Sequence, residues 1–107
     1  MTPLFVSAAL LLGSVFVESA LARPFTMRVV DESGHGVAHV RVVTDNGIVC
    51  YSLLDGTLSW SESSLMRRSV RFSLNDDAHA FKTRVTTMHV TRGTTAIVTL
   101  DRVKPES

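Results

Sequence analysis

Val37-Ala38-His39-Val40-Arg41-Val42-Val43-Thr44-Asp45-Asn46-Gly47-Ile48-Val49-Cys50-Tyr51-Ser52-Leu53 is the stretch that decides the fold class. Val40 and Val42 alternate with His39 and Arg41, the period-two pattern that gathers apolar side chains on one face of a strand. Asp45-Asn46-Gly47 then interrupts the run. A tight hairpin turn needs positive φ at its central residues, which asparagine and glycine tolerate, so Asn46-Gly47 predicts a reversal. Ile48 to Leu53 is then expected to pair back across it.

The same rhythm extends in both directions. Phe25-Thr26-Met27-Arg28-Val29 alternates and opens the series, and Asp31-Glu32-Ser33-Gly34-His35-Gly36 breaks it with two glycines. Downstream, Asp55-Gly56 turns the chain into a short strand, Thr57-Leu58-Ser59-Trp60. Ser61 to Met66 is the one stretch with a helical turn, where Ser61 is placed to cap it and Leu65 and Met66 to tuck under the sheet. Ser69-Val70-Arg71-Phe72-Ser73-Leu74 alternates cleanly with Val70, Phe72 and Leu74 inward, and Asn75 to His79 reads as a loop. Thr83 to Thr91 and Thr94 to Leu100 are expected to form a final hairpin around Arg92-Gly93.

From Arg23 onward the chain holds 12 Val and 10 Thr against 4 Ala and 6 Leu, a bias toward pleated surface and away from helix. Short consecutive strands without long helices between them exclude a doubly wound α/β fold. The expected architecture is all-β, a seven-stranded antiparallel sandwich with an Ig- or transthyretin-like Greek key.

Residues 1–22 read as an export leader. Leu4 to Val17 is almost wholly apolar but only 14 residues long, short of the roughly 20 a spanning helix needs. Glu18 ends the run, and Ala20-Leu21-Ala22 places small residues where a signal peptidase cuts. Arg23 follows the expected cut, so no new N-terminal cysteine arises to carry a lipid. The domain boundaries are thus 1–22 for the leader and 23–107 for one β-sandwich domain, exported to the periplasm or the exterior.

The 107 residues carry 11 basic and 10 acidic side chains, so charge gives no stripe for a nucleic acid and no polyanionic character. Cleavage removes Glu18 and raises the net charge from +1 only to +2, and it leaves no apolar span for stable membrane insertion. With one cysteine no internal disulfide forms, and the apolar run Ile48-Val49-Cys50-Tyr51 reads Cys50 as a core residue rather than an intermolecular link.

At this point the turns acquire a family likeness. Val29-Val30-Asp31-Glu32-Ser33-Gly34, followed by Val37 and Val40, resembles the opening of carboxypeptidase regulatory-like domains, with their strand, Asp-x-x-Gly turn and Val-rich second strand. Tyr51-Ser52-Leu53-Leu54-Asp55-Gly56-Thr57-Leu58 is similar to the family's Thr-Asp-x-x-Gly-x-Phe step, and Gly93 to Leu100 to its last strand. Gly36 stands where proline is usual, His39 where Gly or Ala is usual, and Asp77 to Phe81 replaces a Gly-Tyr pair. The likeness covers most of residues 25–103, and every matched position is a turn or core residue. It implies a transthyretin-like sandwich, an accessory module of secreted enzymes and outer-membrane receptors, and carries over no catalytic or ligand residue.

His35, His39, His79 and His89 lack the His-x-His, Cys-x-x-Cys or His-Glu-x-x-His spacing that preorganises a zinc site, and read as surface side chains. Ser59, Ser61, Ser63 and Ser64 sit in no Gly-x-Ser-x-Gly elbow. Asp76-Asp77 reads as a turn cap rather than an acid/base pair or calcium loop. Arg67, Arg68 and Arg71 form the one basic cluster, read as a solvated strand edge before an anion site. Trp60 shares parity with Leu58 and reads as core, although an exposed Trp60 with Tyr51 would make a sugar-stacking platform.

The sequence therefore assigns no catalytic, cofactor-binding or metal residue and implies no cofactor. The expected function is a secreted, non-catalytic binding or support module for an exported protein or glycan partner. Two alternatives stay open: a carbohydrate-binding module using Trp60 and Tyr51, and a small exported hydrolase using His79 and Asp77.

Overall fold

A computed structural model describes residues 23–104; the leader, residues 1–22, lies outside the described residues. Seven strands run β1 (Phe25–Val30), β2 (Val40–Thr44), β3 (Val49–Tyr51), β4 (Thr57–Trp60), β5 (Arg68–Asp76), β6 (Arg84–Val90) and β7 (Thr95–Thr99). A short 3₁₀ turn, Ser63–Leu65, separates β4 from β5. The strands form two sheets, one ordered β4-β1-β7 and the other β3-β2-β5-β6.

Alternation predicts the buried faces well. Met27 and Val29 of β1, Val40 and Val42 of β2, and Val70, Phe72 and Leu74 of β5 are fully buried. Their side chains meet between the sheets, which makes the molecule a β-sandwich. Phe25 and Trp60 from one sheet pack on Phe72 from the other, with ring centroids 6.1 Å and 5.2 Å away. Trp60 is only 1% exposed, so it belongs to this core as its parity with Leu58 predicts.

Two topological expectations are corrected. β1 pairs antiparallel with β4 but parallel with β7, Thr26 opposite Thr95 through Val30 opposite Thr99, so the smaller sheet is mixed rather than antiparallel. Arg92-Gly93 does not close a hairpin. β6 pairs with β5 in the larger sheet and β7 with β1 in the smaller, so this turn carries the chain from one layer to the other. A glycine turn reverses the chain locally but leaves open which sheet receives the next strand.

Strand limits shift for local reasons. β2 begins at Val40, not Val37, because His39 takes a left-handed φ of 61°, a region where His is among the more tolerated non-glycine residues. There the His39 and Val40 N–H groups both turn to Ser52, donating to its carbonyl and its hydroxyl respectively. That hydroxyl in turn donates to the Val37 carbonyl at 2.7 Å. This bulge ends β3 at Tyr51. Asn75 and Asp76 extend β5 rather than joining the loop. Ser61 caps nothing: Glu62 precedes the 3₁₀ turn with no side-chain cap, though Leu65 is fully buried and Met66 half-buried as expected.

The Asn46-Gly47 hairpin forms, with Val42 opposite Cys50, but only Gly47 takes the expected positive φ, at 86°, and Asn46 does not. Asp45 at its corner receives a two-pronged ion pair from Arg68, at 2.7 and 2.9 Å, and the Arg71 N–H at 3.2 Å. The Arg68 bond, then the Arg71 amide, lower its pKa from the ordinary 3.8 to about 2. A depressed carboxyl stabilises the fold fully above its unfolded pKa and loses that contribution as the pH falls through its folded value. The stability gap between the native chain and Asp45→Asn is therefore expected to be constant above about pH 4 and to close toward pH 2, measured by thermal unfolding across that range.

Candidate functional site

The richest surface feature lies where the two sheets open beside each other. β3 and β4 are the outer strands of their sheets, and an open groove of about 360 Å³ runs between Val49–Tyr51 and Leu53 on one side and Thr57–Ser59 on the other. Val49, Tyr51 and Leu53 are 44%, 52% and 66% exposed along its rim. No charged residue occurs from Asn46 to Leu54. Sheet edges exposed to solvent are ordinarily guarded by charge, proline or a covering loop.

Hydrogen-bond register fixes which backbone groups are free. Thr44 donates to the Ile48 carbonyl and Ser52 to the Val40 carbonyl. Residues 48, 50 and 52 therefore point their amides and carbonyls inward to β2, and by the antiparallel alternation Val49 and Tyr51 point theirs outward. On β4, the Gly56 carbonyl accepts from Val29, so residues 56, 58 and 60 serve β1 while Thr57 and Ser59 face the groove. Thr57 is already satisfied by the Leu53 N–H at its carbonyl and by Asp55 at its own N–H. Among the described residues, Val49, Tyr51 and Ser59 thus present ladder groups with no strand beside them.

Cys50 lies on the inner side of this edge and is half-buried, packed against the core rather than within it. The expected full burial is corrected because β3 is an outer strand and one flank of the thiol faces the groove. Burial foremost, then Glu62, raises its pKa, while the Trp60 indole N–H beside it works in the opposite direction. That indole nitrogen is buried and, among the described residues, meets no acceptor at hydrogen-bonding distance.

The remaining sequence candidates are dispersed. All four histidines are exposed: His35 beside Asp31 at 3.8 Å, His39 on the bulge, His79 at a left-handed turn, and His89 on β6. Among the described residues no three His, Cys, Asp or Glu side chains come together to hold a metal. Asp76 is the expected turn cap, buried and accepting N–H bonds from Ala78, Ala80 and Phe81, whereas Asp77 is exposed. Neither Asp77 nor His79 lines the groove. The arginine cluster is divided, since Arg68 is committed to Asp45 while Arg67 sits exposed at φ 60°. Ser63 and Ser64 accept bonds from Arg92 and Asn46, Ser61 is exposed, and only Ser59 borders the groove. Of the proposed sugar platform only Tyr51 is on the surface, because Trp60 is enclosed.

The groove itself is not visible to residue-by-residue reading, since it depends on which strands end up outermost. The uncharged run Asn46–Leu54 is the signal that marks it.

No family model matches the chain, and no curated protein matches it in sequence. Among solved structures the chain is similar to the Bacillus anthracis TIE protein, with a TM-score of 0.55 and 12% identity over 76% of this chain. The match spans 16% of that protein's length. At that identity the likeness is one of fold.

Proposed function

We propose that the chain is an exported, non-catalytic β-sandwich module that works by binding an extended polypeptide strand along the β3 edge. The observation that carries this reading is the pair of outward-facing backbone groups at Val49 and Tyr51, set beside an uncharged apolar groove. In strand addition the ladder hydrogen bonds supply affinity and alternate side-chain pockets supply selectivity. The groove offers such a pocket directly beneath the edge. Export rests on the Leu4–Val17 apolar run and the Ala20-Leu21-Ala22 cut.

We read the module as carboxypeptidase regulatory-like with a Greek-key path. Supporting this, Asp31 accepts the Ser33 and His35 N–H bonds of its own turn, as an Asp-x-x-Gly corner requires. The left-handed His39 also stands at the position where that family carries Gly or Ala.

A blocked hexapeptide of alternating valine and threonine is the test. On titration into the isotopically labelled chain, the amides of Val49 and Tyr51 are expected to shift most and to slow in hydrogen exchange. Shifts spread over the β6 and β7 edges, or none at all, would remove the reading.

A further inference from the structure

We infer that the strand received at this edge is β3 of a second copy of the chain, the two paired antiparallel about a dyad through Cys50. The inference rests on the strand-addition reading and names its partner. Only one symmetric register uses the outward groups of both residues in both copies, and it sets Val49 opposite Tyr51 of the other copy and Cys50 opposite its own equivalent. Cys50 then forms the non-hydrogen-bonded pair, with Cα atoms about 4.5 Å apart. That separation lies inside the roughly 4.4–6.8 Å range a disulfide spans.

Charge permits this self-pairing. A charged edge would meet its own sign across a dyad, but Asn46 to Leu54 carries none. The exposed side chains of Val49 and Tyr51 fall opposite each other, an aromatic against a β-branched residue, which is a favourable cross-strand pair. The groove under the edge, with the Cys50 thiol at its margin, is closed by the same contact. The larger sheet of each copy would continue into the other.

The test uses the purified chain in sedimentation, first reduced and then with oxidised glutathione in mildly alkaline buffer. Under oxidation one Cys50 thiolate attacks a glutathione sulfur and releases one glutathione thiol. The second copy's thiolate then displaces the other, so one oxidised glutathione becomes two thiols and one Cys50–Cys50 disulfide forms. Expected are a doubled mass in reducing buffer and a covalent dimer on oxidation. Val49→Lys is expected to abolish both, and adding Tyr51→Glu to restore both, because the dyad places position 49 against position 51. Both side chains are on the surface, so neither change disturbs the core. A single-chain mass at the highest concentration, or a dimer indifferent to Val49→Lys, overturns the inference. If the chain is monomeric yet the valine–threonine hexapeptide still binds at Val49 and Tyr51, only the second copy is wrong; if neither binds, the edge reading falls with it.

Discussion

Gly56→Ala is expected to remove about half of the stability of the fold. Gly56 sits at φ 86°, and a β-carbon there would lie 2.2 Å from the Val29 carbonyl oxygen and 3.0 Å from Gly36 Cα. Forcing an alanine into left-handed backbone costs about 1–3 kcal/mol. The clash is with backbone, which cannot rotate away as a side chain would. Moreover, Val29 is held from both sides, donating to the Gly56 carbonyl and accepting from Val37. Separating them costs about a further 1–3 kcal/mol of overpacking strain. A domain of this size has a total stability of roughly 4–12 kcal/mol, at about 0.05–0.15 per residue. Gly36→Ala is the matched control for the same junction, since its β-carbon would meet the Asp55 carbonyl oxygen at 2.0 Å without any unusual φ. Urea unfolding of both variants, followed by far-ultraviolet dichroism, checks the expectation. A loss below about 1 kcal/mol in either would mean the two turns can separate freely.

Phe72→Ala is expected to cost about 3–5 kcal/mol. Phe72 is fully buried at the centre of β5 and touches both aromatic rings that enter from the smaller sheet. Removing it takes away most of the apolar contact holding the layers together there, and β5 is the strand flanked by both β2 and β6. Trp60 reports on the result, since it is enclosed in the native fold. Its emission should move to the red, and acrylamide should quench it more readily, in proportion to the fraction unfolded. A blue, protected emission combined with unchanged urea resistance would show that the core does not depend on this ring.

The strands were legible because their cause is local. Val70, Phe72 and Leu74 announce a buried face by alternation alone, and Asn46-Gly47 announces a reversal by the backbone angles it tolerates. The parallel pairing of β1 with β7 was not legible, because Thr26 and Thr95 meet through the closing of the whole domain rather than through any neighbouring pattern. Arg92-Gly93 misled for the same reason: turn residues fix a bend, not a destination. The bulge at His39 was hidden because histidine gives little warning of the left-handed conformation that glycine would advertise. Cys50 shows the limit in one residue. Its apolar neighbours point to the interior, but its exposure is set by β3 being outermost among the described strands, which only the assembled sheet reveals. The edge proposed above for strand addition follows from that same fact.

The parallel seam between Phe25–Val30 and Thr95–Thr99 also constrains how the molecule comes into being. Of the described strands, the one translated first occupies the middle of its layer and waits for the one translated last. During synthesis that middle strand lacks one neighbour until Thr95–Thr99 has been made. Such late, sequence-distant closure slows folding, and in the interval the nascent chain would offer an adhesive flank to any chaperone it meets.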